Sequence, residues 1–180
     1  DGNPSDDSKT INVSPKISAP GKVVLGEEAT GTWCGWCPRG AVFMDYMEST
    51  YGNAWAGVAV HNNDPMADSA YDTGLGFSSY PNALVDRGLE IDPQALEAEF
   101  LQRVQIAPTA LITNGAFWNA NTRQLDVSVT TIWQAAASGD WRLGVILTED
   151  GLSGTTSDWG QSNSYSGGGS GVMGGYELLP

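Results

Sequence analysis

The sequence contains few basic residues. Eight Lys and Arg stand against 21 Asp and Glu, which gives a net charge of −13. Nucleic-acid-binding domains gather phosphates with clustered Lys and Arg, and this chain has no such cluster. It also lacks the roughly 18 uninterrupted apolar residues of a membrane-spanning helix. We therefore expect a protein that binds no nucleic acid and has no transmembrane segment.

Cysteine and histidine are also scarce, with two cysteines and one histidine. The two cysteines, Cys34 and Cys37, stand too close together to form a stabilising framework of disulfides, so their spacing indicates a chemical role. A structural zinc site would need two further ligands, and only His61 is left to offer one. Acidic segments at 64–72 and 149–150 lack the spacing of an EF-hand. We expect no metal, and no cofactor beyond the redox-active Cys34–Cys37 pair.

The first two segments of the chain differ in residue composition and in apolar pattern. Residues 1–20 are rich in Ser, Asp and Pro, which predicts a flexible acidic tether. Residues 21–106 alternate short apolar runs at 22–25, 55–60 and 83–85 with helical patterns at 38–51, 67–74 and 92–104. This order predicts an α/β domain that contains a parallel strand pair.

Residues 107–180 form a β-rich region by pattern. Apolar and polar residues alternate in 125–131 and 141–147, and together with 109–118 these segments predict three antiparallel strands. Three strands make an incomplete sandwich. We consider three ways to complete it. Residues 172–179 could add a fourth strand, the sheet could pack on the first domain, or the natural chain could continue past Pro180. The Gly- and Ser-rich stretch 153–175 predicts a long surface loop or a mobile tail.

The cysteines stand at the predicted start of a helix, because Pro38 suits a first helical turn. We expect the Cys34 sulfur to face solvent, where backbone N–H groups and the helix dipole favour its thiolate. Cys37, one turn later, can then resolve a mixed disulfide formed at Cys34. The alternative is an inert disulfide in a domain that has kept its fold and lost its activity.

The segment KVVLGEEATGTWCGWCPRG resembles the active-site segment of the thioredoxin superfamily. The resemblance implies a thioredoxin-like fold and a cis-proline at Pro81, whose neighbour Tyr80 presents its backbone to a substrate chain. An ordinary trans-proline is the alternative. The same resemblance implies a buried acid at Glu28 that exchanges a proton with Cys37. Strand alternation allows only one of Glu27 and Glu28 to point inward, and we favour Glu28 over Glu27 and over two exposed acids.

Two features near the cysteines are open to more than one interpretation. The dipeptide Gly35-Trp36 replaces the Gly-Pro of ordinary thioredoxin, so the redox potential cannot be carried over. Trp33 and Trp36 could form an apolar rim that contacts a substrate chain, although Trp33 could equally be packing. His61 is either a proton carrier or a solvated residue at a strand end.

A narrower resemblance covers more of the chain. EEATGTWCGWCPRG, the YPNALVDR segment, ILTEDG and W-x-Q-x-N-x-Y are similar to the Bacteroidota outer-membrane protein family named for a mass of twenty-eight kilodaltons. Its members are exported, often lipid-anchored proteins with a thioredoxin-like and a β-sandwich-like domain. The resemblance implies an exported bacterial protein in the periplasm, outer membrane or cell surface, and it allows a lipid anchor upstream of residue 1.

Two functions follow from these observations. The first is a protein thiol–disulfide oxidoreductase that acts on cysteine-containing exported proteins or exchanges electrons with a redox partner. The second is a redox-inactive surface binding or assembly module. In that case the β-rich half would bind a glycan or a protein through aromatic residues, namely Trp118, Trp133, Trp141 and Trp159.

Overall fold

The computed structural model describes residues 15–167. The first part of the chain contains β1 (Val24–Thr30), α1 (Pro38–Tyr51), β2 (Trp55–His61), α2 (Ser69–Leu75), β3 (Asn82–Val85) and α3 (Leu96–Arg103). The hairpin β4 (Ala110–Asn119) and β5 (Gln124–Trp133) follows, and a 3₁₀ turn lies at Ser157–Trp159. Within residues 15–167, none of the helices has the length and apolar character needed to cross a bilayer.

The first sheet has three strands in the order β2-β1-β3. β1 runs parallel to β2, with Val24 opposite Trp55, and antiparallel to β3, with Glu27 opposite Leu84. The predicted parallel pair is therefore confirmed. Six of the seven residues of β1 are buried, so this central strand is covered on both of its faces.

The core lies where α1 and α3 pack on this sheet. The Phe100 ring of α3 lies 4.2 Å from that of Tyr51 and 6.0 Å from that of Trp55, measured between centroids. Trp55 lies over Gly26, where a Cβ would approach its indole to 2.0 Å. The fully buried core also includes Val24, Met47, Ala83, Val85, Leu96 and Val104.

The helix that follows the cysteines has the predicted limits. Pro38 occupies its first turn, and it ends at Gly52, whose φ of 42° is a conformation that glycine adopts without strain. The predicted helix at 92–104 begins instead as a 3₁₀ turn, in which the Asp92 carboxylate accepts the N–H of Gln94, and continues as α3.

The β-rich region contains two of the three predicted strands. β4 and β5 pair antiparallel along their whole length, from Ala110 opposite Trp133 to Asn119 opposite Gln124. The predicted third strand at 141–147 is wrong: the segment forms no strand, and Leu143, Val145 and Leu147 are exposed. Alternation produces a strand only where a neighbour offers backbone partners, and β5 pairs within the described residues with β4 alone. The fourth strand predicted at 172–179 lies outside these residues.

Both predicted flexible segments are described only in part. Residues 15–18 of the predicted tether are exposed and irregular, whereas the Ala19 N–H donates to the Val104 carbonyl at 2.8 Å. The Gly- and Ser-rich stretch is described to residue 167, and there it is a loop that bonds to the segment between β1 and α1. Its Tyr165 is buried, with 5% of its surface exposed. The remaining residues of both segments fall outside 15–167.

Candidate functional site

Cys34 and Cys37 form a disulfide with an S–S distance of 2.07 Å. They lie in the loop between β1 and α1, residues 31–37, which we call the disulfide loop. The Cys37 N–H donates to the Cys34 carbonyl, and the Cys37 carbonyl accepts the N–H of Ala41 in the first turn of α1. The predicted placement of the pair at the start of a helix is thus what the structure has.

The exposure of Cys34 differs from the prediction. We expected its sulfur to face solvent, but Cys34 is 4% exposed and Cys37 is 1% exposed. A segment from the far end of the chain, residues 158–165, lies against the disulfide loop and bonds to the carbonyls of Thr32, Cys34 and Gly35. We call this segment the strap.

Backbone hydrogen bonds hold the strap on the disulfide loop. The Ser162 N–H donates to the Thr32 carbonyl at 2.6 Å, and the Ser164 N–H donates to the Gly35 carbonyl at 2.8 Å. In the other direction, the Thr32 hydroxyl donates to the carbonyl of Asp158 at 2.8 Å. The contact therefore joins backbone groups on both sides of Cys34.

Side chains extend the contact. The Gln161 amide donates to the Cys34 carbonyl at 2.9 Å. The Tyr165 ring meets Trp36 edge to face, with centroids 5.3 Å apart, an arrangement that aromatic pairs favour. The W-x-Q-x-N-x-Y motif of the sequence coincides with this segment, at residues 159–165, but sequence reasoning gave it no role beside the cysteines.

On its other side the disulfide loop adjoins Tyr80. The ring of Trp33 lies 5.4 Å from that of Tyr80, and its indole N–H donates to the Asn62 carbonyl at 2.7 Å. The Tyr80–Pro81 bond is cis, as the resemblance implied. Trp33 and Trp36 are 48% and 54% exposed, so both rings offer apolar surface next to the cysteines.

Tyr80 is fixed by a carboxylate. Its hydroxyl donates to the Asp72 carboxylate of α2 at 2.9 Å. Burial, and then this hydrogen bond, raise the pKa of Tyr80 to about 12. The residue before Pro81 is therefore held in place from α2.

Glu28 is buried beneath the disulfide. Its carboxyl lines a cavity of about 340 Å³ together with Cys37, Pro38 and His61. Glu28 Oε1 has no hydrogen-bond partner in the part of the chain that the structure describes, residues 15–167. Burial raises the pKa of this carboxyl well above its ordinary value, because a charge is costly where water is excluded. An acid able to hold a proton thus shares a cavity with the second cysteine.

Glu27 is buried as well, so the expectation that only one of the two acids points inward is wrong. Alternation does send them to opposite faces, but both faces of β1 are covered. Glu28 meets α1, whereas Glu27 accepts hydrogen bonds from the Tyr71 hydroxyl and from the guanidinium of Arg87, whose Nε lies 3.2 Å from Oε2. Glu27 is therefore an ion-paired structural acid.

His61 lies at the end of β2 and is not simply solvated. Its Nδ1 lies 2.7 Å from the carboxylate of Asp64, which also accepts the Thr32 N–H at 2.9 Å. The imidazole is 20% exposed and lines the same cavity as Glu28. Among residues 15–167, no three His, Cys, Asp or Glu side chains gather as a metal site would require.

The chain was compared with known proteins. No family model matches the sequence, and no curated protein matches it significantly. A solved structure, HBP35 of Porphyromonas gingivalis, is similar over 53% of this chain with 23% identity and a TM-score of 0.42. The aligned part spans 37% of that protein's chain. We assign no family on this similarity and infer the function from the residues of the site.

Proposed function

We propose that the protein is an exported thiol–disulfide oxidoreductase with a thioredoxin-like domain at 21–106 and a β-rich domain at 107–180. One observation carries the proposal: the Cys34–Cys37 disulfide at the start of α1 shares a cavity with the unpaired, buried carboxyl of Glu28. A buried acid of perturbed pKa in a cavity with a reactive group is a recurring feature of catalytic sites, and this supports a chemical role for the disulfide.

The exchange reaction proceeds in two steps and moves two electrons. In the reducing direction, the Cys34 thiolate attacks a substrate disulfide, forms a mixed disulfide and releases one substrate thiolate. Glu28, in its ionised carboxylate form, takes the proton of the Cys37 thiol and becomes the neutral acid, and the Cys37 thiolate then attacks the Cys34 sulfur. The Cys34–Cys37 bond forms, the mixed bond breaks, and the second substrate thiolate leaves. The oxidising direction is the reverse sequence and ends with the Cys34–Cys37 pair reduced.

Neighbouring residues have positioning roles in this proposal. Tyr80 and Pro81 would dock the substrate backbone, and Trp33 and Trp36 would contact its side chains. The contact between the Trp33 and Tyr80 rings supports this assignment, because it brings the two surfaces together beside Cys34.

The substrates would be cysteine-containing exported proteins or a redox partner protein. Disulfides form and persist in oxidising compartments outside the cytosol, which fits a periplasmic, outer-membrane or cell-surface location. These assignments derive from the family resemblance and stay part of the proposal.

The decisive experiment measures insulin reduction and the refolding of a scrambled disulfide protein. We expect the wild type to accelerate at least one of them, Cys34→Ser to abolish the activity, and Cys37→Ser to accumulate a mixed disulfide that mass spectrometry detects at Cys34. Cys34→Ser/Cys37→Ser controls for non-specific effects. A wild type with intact thiols that exchanges with neither substrate would refute the proposal.

A second function is supported by exposed aromatic residues of the β-rich half. Trp133 and Trp141 meet edge to face with centroids 5.2 Å apart, and both are about half exposed, as is Trp118. Apolar surface of this kind binds sugars or protein partners. If Cys34→Ser/Cys37→Ser keeps glycan or protein binding that Trp133→Ala loses, the β-rich half is a binding module independent of the disulfide.

A further inference from the structure

The strap contacts the disulfide loop through its backbone. It runs from the 3₁₀ turn at Ser157–Trp159 to a turn that begins at Ser164, so it is not a β-strand. The N–H groups of Ser162 and Ser164, two positions apart, donate to carbonyls of the disulfide loop, those of Thr32 and Gly35. The loop thus presents two backbone acceptors that the N–H groups of another polypeptide can use.

The loop is also shaped for a close approach at this point. A Cβ at Gly35 would lie 2.2 Å from the Ser164 hydroxyl oxygen, so the glycine between the cysteines leaves room for the strap. Tyr165 covers one edge of the exposed Trp36 ring, and Gln161 donates to the carbonyl of Cys34 itself. The strap therefore occupies the surroundings of the residue that attacks in the exchange reaction.

We infer that the strap is a built-in inhibitor: it occupies the surface that an extended, cysteine-containing substrate segment must contact, and the substrate displaces it. This inference rests on the proposed exchange function. The displacing segment would supply N–H groups two residues apart for Thr32 and Gly35, and an aromatic or large apolar side chain for Trp36. The exchange step itself is unchanged, since the strap contributes no atom that is oxidised or reduced.

Three variants loosen the strap by separate routes. Gln161→Ala removes the bond to the Cys34 carbonyl, Tyr165→Ala removes the ring contact, and Ser164→Pro removes a backbone donor. Gln134→Ala and Phe117→Ala are matched controls, since these side chains lie on or next to the β4–β5 hairpin. The Gln134 amide donates to the nearby Ile132 carbonyl, and Phe117 is an exposed aromatic residue on β4. Thermal unfolding of each chain establishes that it is folded.

Two rates are then measured. The first is the alkylation of Cys34 by iodoacetamide in the reduced protein, which reports access without requiring exchange activity. The second is exchange with a peptide disulfide. We expect each strap variant to raise both rates about fivefold, and Gln161→Ala/Tyr165→Ala to raise them more, because each lost contact weakens the covered state by a typical hydrogen-bond or ring-contact energy. The controls should match the wild type.

The two proposals fail in different ways. If the strap variants alkylate at the wild-type rate, the strap does not cover Cys34 and the inference is wrong, whatever the exchange activity. If exchange is present but equal or slower in the strap variants, the strap assists the substrate and inhibition is likewise wrong. If alkylation accelerates while no chain exchanges disulfides, the proposed function is refuted, and inhibition with it.

Discussion

The carboxyl of Glu28 packs directly against the backbone of Gly40. A Cβ at Gly40 would lie 2.0 Å from Glu28 Oε1, a distance at which one of the two groups has to move. Gly40 stands in the first turns of α1, three positions after Cys37. The helix that carries the second cysteine thus needs a residue without a side chain at the point where it covers the buried acid.

Gly40→Ala should destabilise the protein even though alanine favours helix formation. Overpacking a core costs about 1–3 kcal/mol, against a gain in helix propensity of about 1 kcal/mol. We expect a net loss of about 1 kcal/mol in the free energy of unfolding, measured in urea. Gly74→Ala is the matched control in α2: nothing lies within 4 Å of its Cβ, so it should stabilise by about 0.5 kcal/mol. An equal gain in both variants would contradict the close packing.

Glu28→Gln should change how stability depends on pH. Because the pKa of Glu28 is higher in the folded state, the folded protein retains a proton that the unfolded chain releases. Below the ordinary glutamate pKa of about 4.5, Glu28 is protonated in both states and does not lower the stability of the wild type. As the pH rises towards the folded pKa, the unfolded chain gains from ionising this group and the wild type loses stability. Glutamine is neutral throughout. The difference in unfolding free energy, variant minus wild type, should be smallest near pH 4 and rise with pH. A constant difference would show that Glu28 does not titrate abnormally.

The same substitution also tests the proposed chemistry. Glutamine cannot accept the Cys37 proton, so resolution of the mixed disulfide should slow by about a hundredfold, within the usual range for general base catalysis. Attack by Cys34 should be unaffected. Rapid-quench measurement of both steps separates them, and equal slowing of both would assign Glu28 a structural role only.

Arg87→Gln should leave the charge of Glu27 without its partner. Glu27 is completely buried, whereas the Arg87 side chain is 56% exposed. We therefore expect a loss of about 2 kcal/mol, less than the 3–5 kcal/mol of a fully buried pair. Arg142→Gln breaks an exposed pair with Asp140 and should cost under about 0.5 kcal/mol. Adding Glu27→Gln to Arg87→Gln should restore part of the lost stability in chemical denaturation. If it lowers stability further, the Glu27 charge is not the cause.

Tyr80→Phe should reduce the loss of stability at alkaline pH. The pKa of Tyr80 is raised from 10.0 to about 12 in the folded protein, so the unfolded chain releases this proton first and the wild type loses stability as the pH rises through that range. Phenylalanine removes this contribution. At neutral pH the variant should be less stable by about 1 kcal/mol, because the bond to Asp72 is lost. Parallel alkaline slopes for both proteins would contradict the assignment.

The sequence was most informative where a local pattern determines the structure. The spacing of Cys34 and Cys37 and the proline after them place the pair at a helix start, and α1 begins and ends at the predicted residues. The cis bond before Pro81 was expected from resemblance. Each of these features depends on residues within a few positions of each other.

Features created by distant contacts could not be predicted. By sequence, the adjacent acids Glu27 and Glu28 are typical of an exposed strand end. Both are buried because α1 covers one face of β1, while Tyr71 and Arg87 bond to the acid on the other face. The strap binds in part through backbone N–H groups, which every residue other than proline possesses, so the W-x-Q-x-N-x-Y motif at 159–165 does not by itself indicate where this segment binds. The alternation at 141–147 is that of a strand, but no partner strand lies beside it in the described residues.

The strap and the residue that it covers stand 127 positions apart in the chain. A ribosome adding about 5–20 residues per second needs roughly 6–25 s to make the intervening chain. During that interval the strap has not been made, so it cannot cover the cysteines of the growing chain. The nascent chain and the folded protein therefore share the same thiols but differ in how accessible these thiols are.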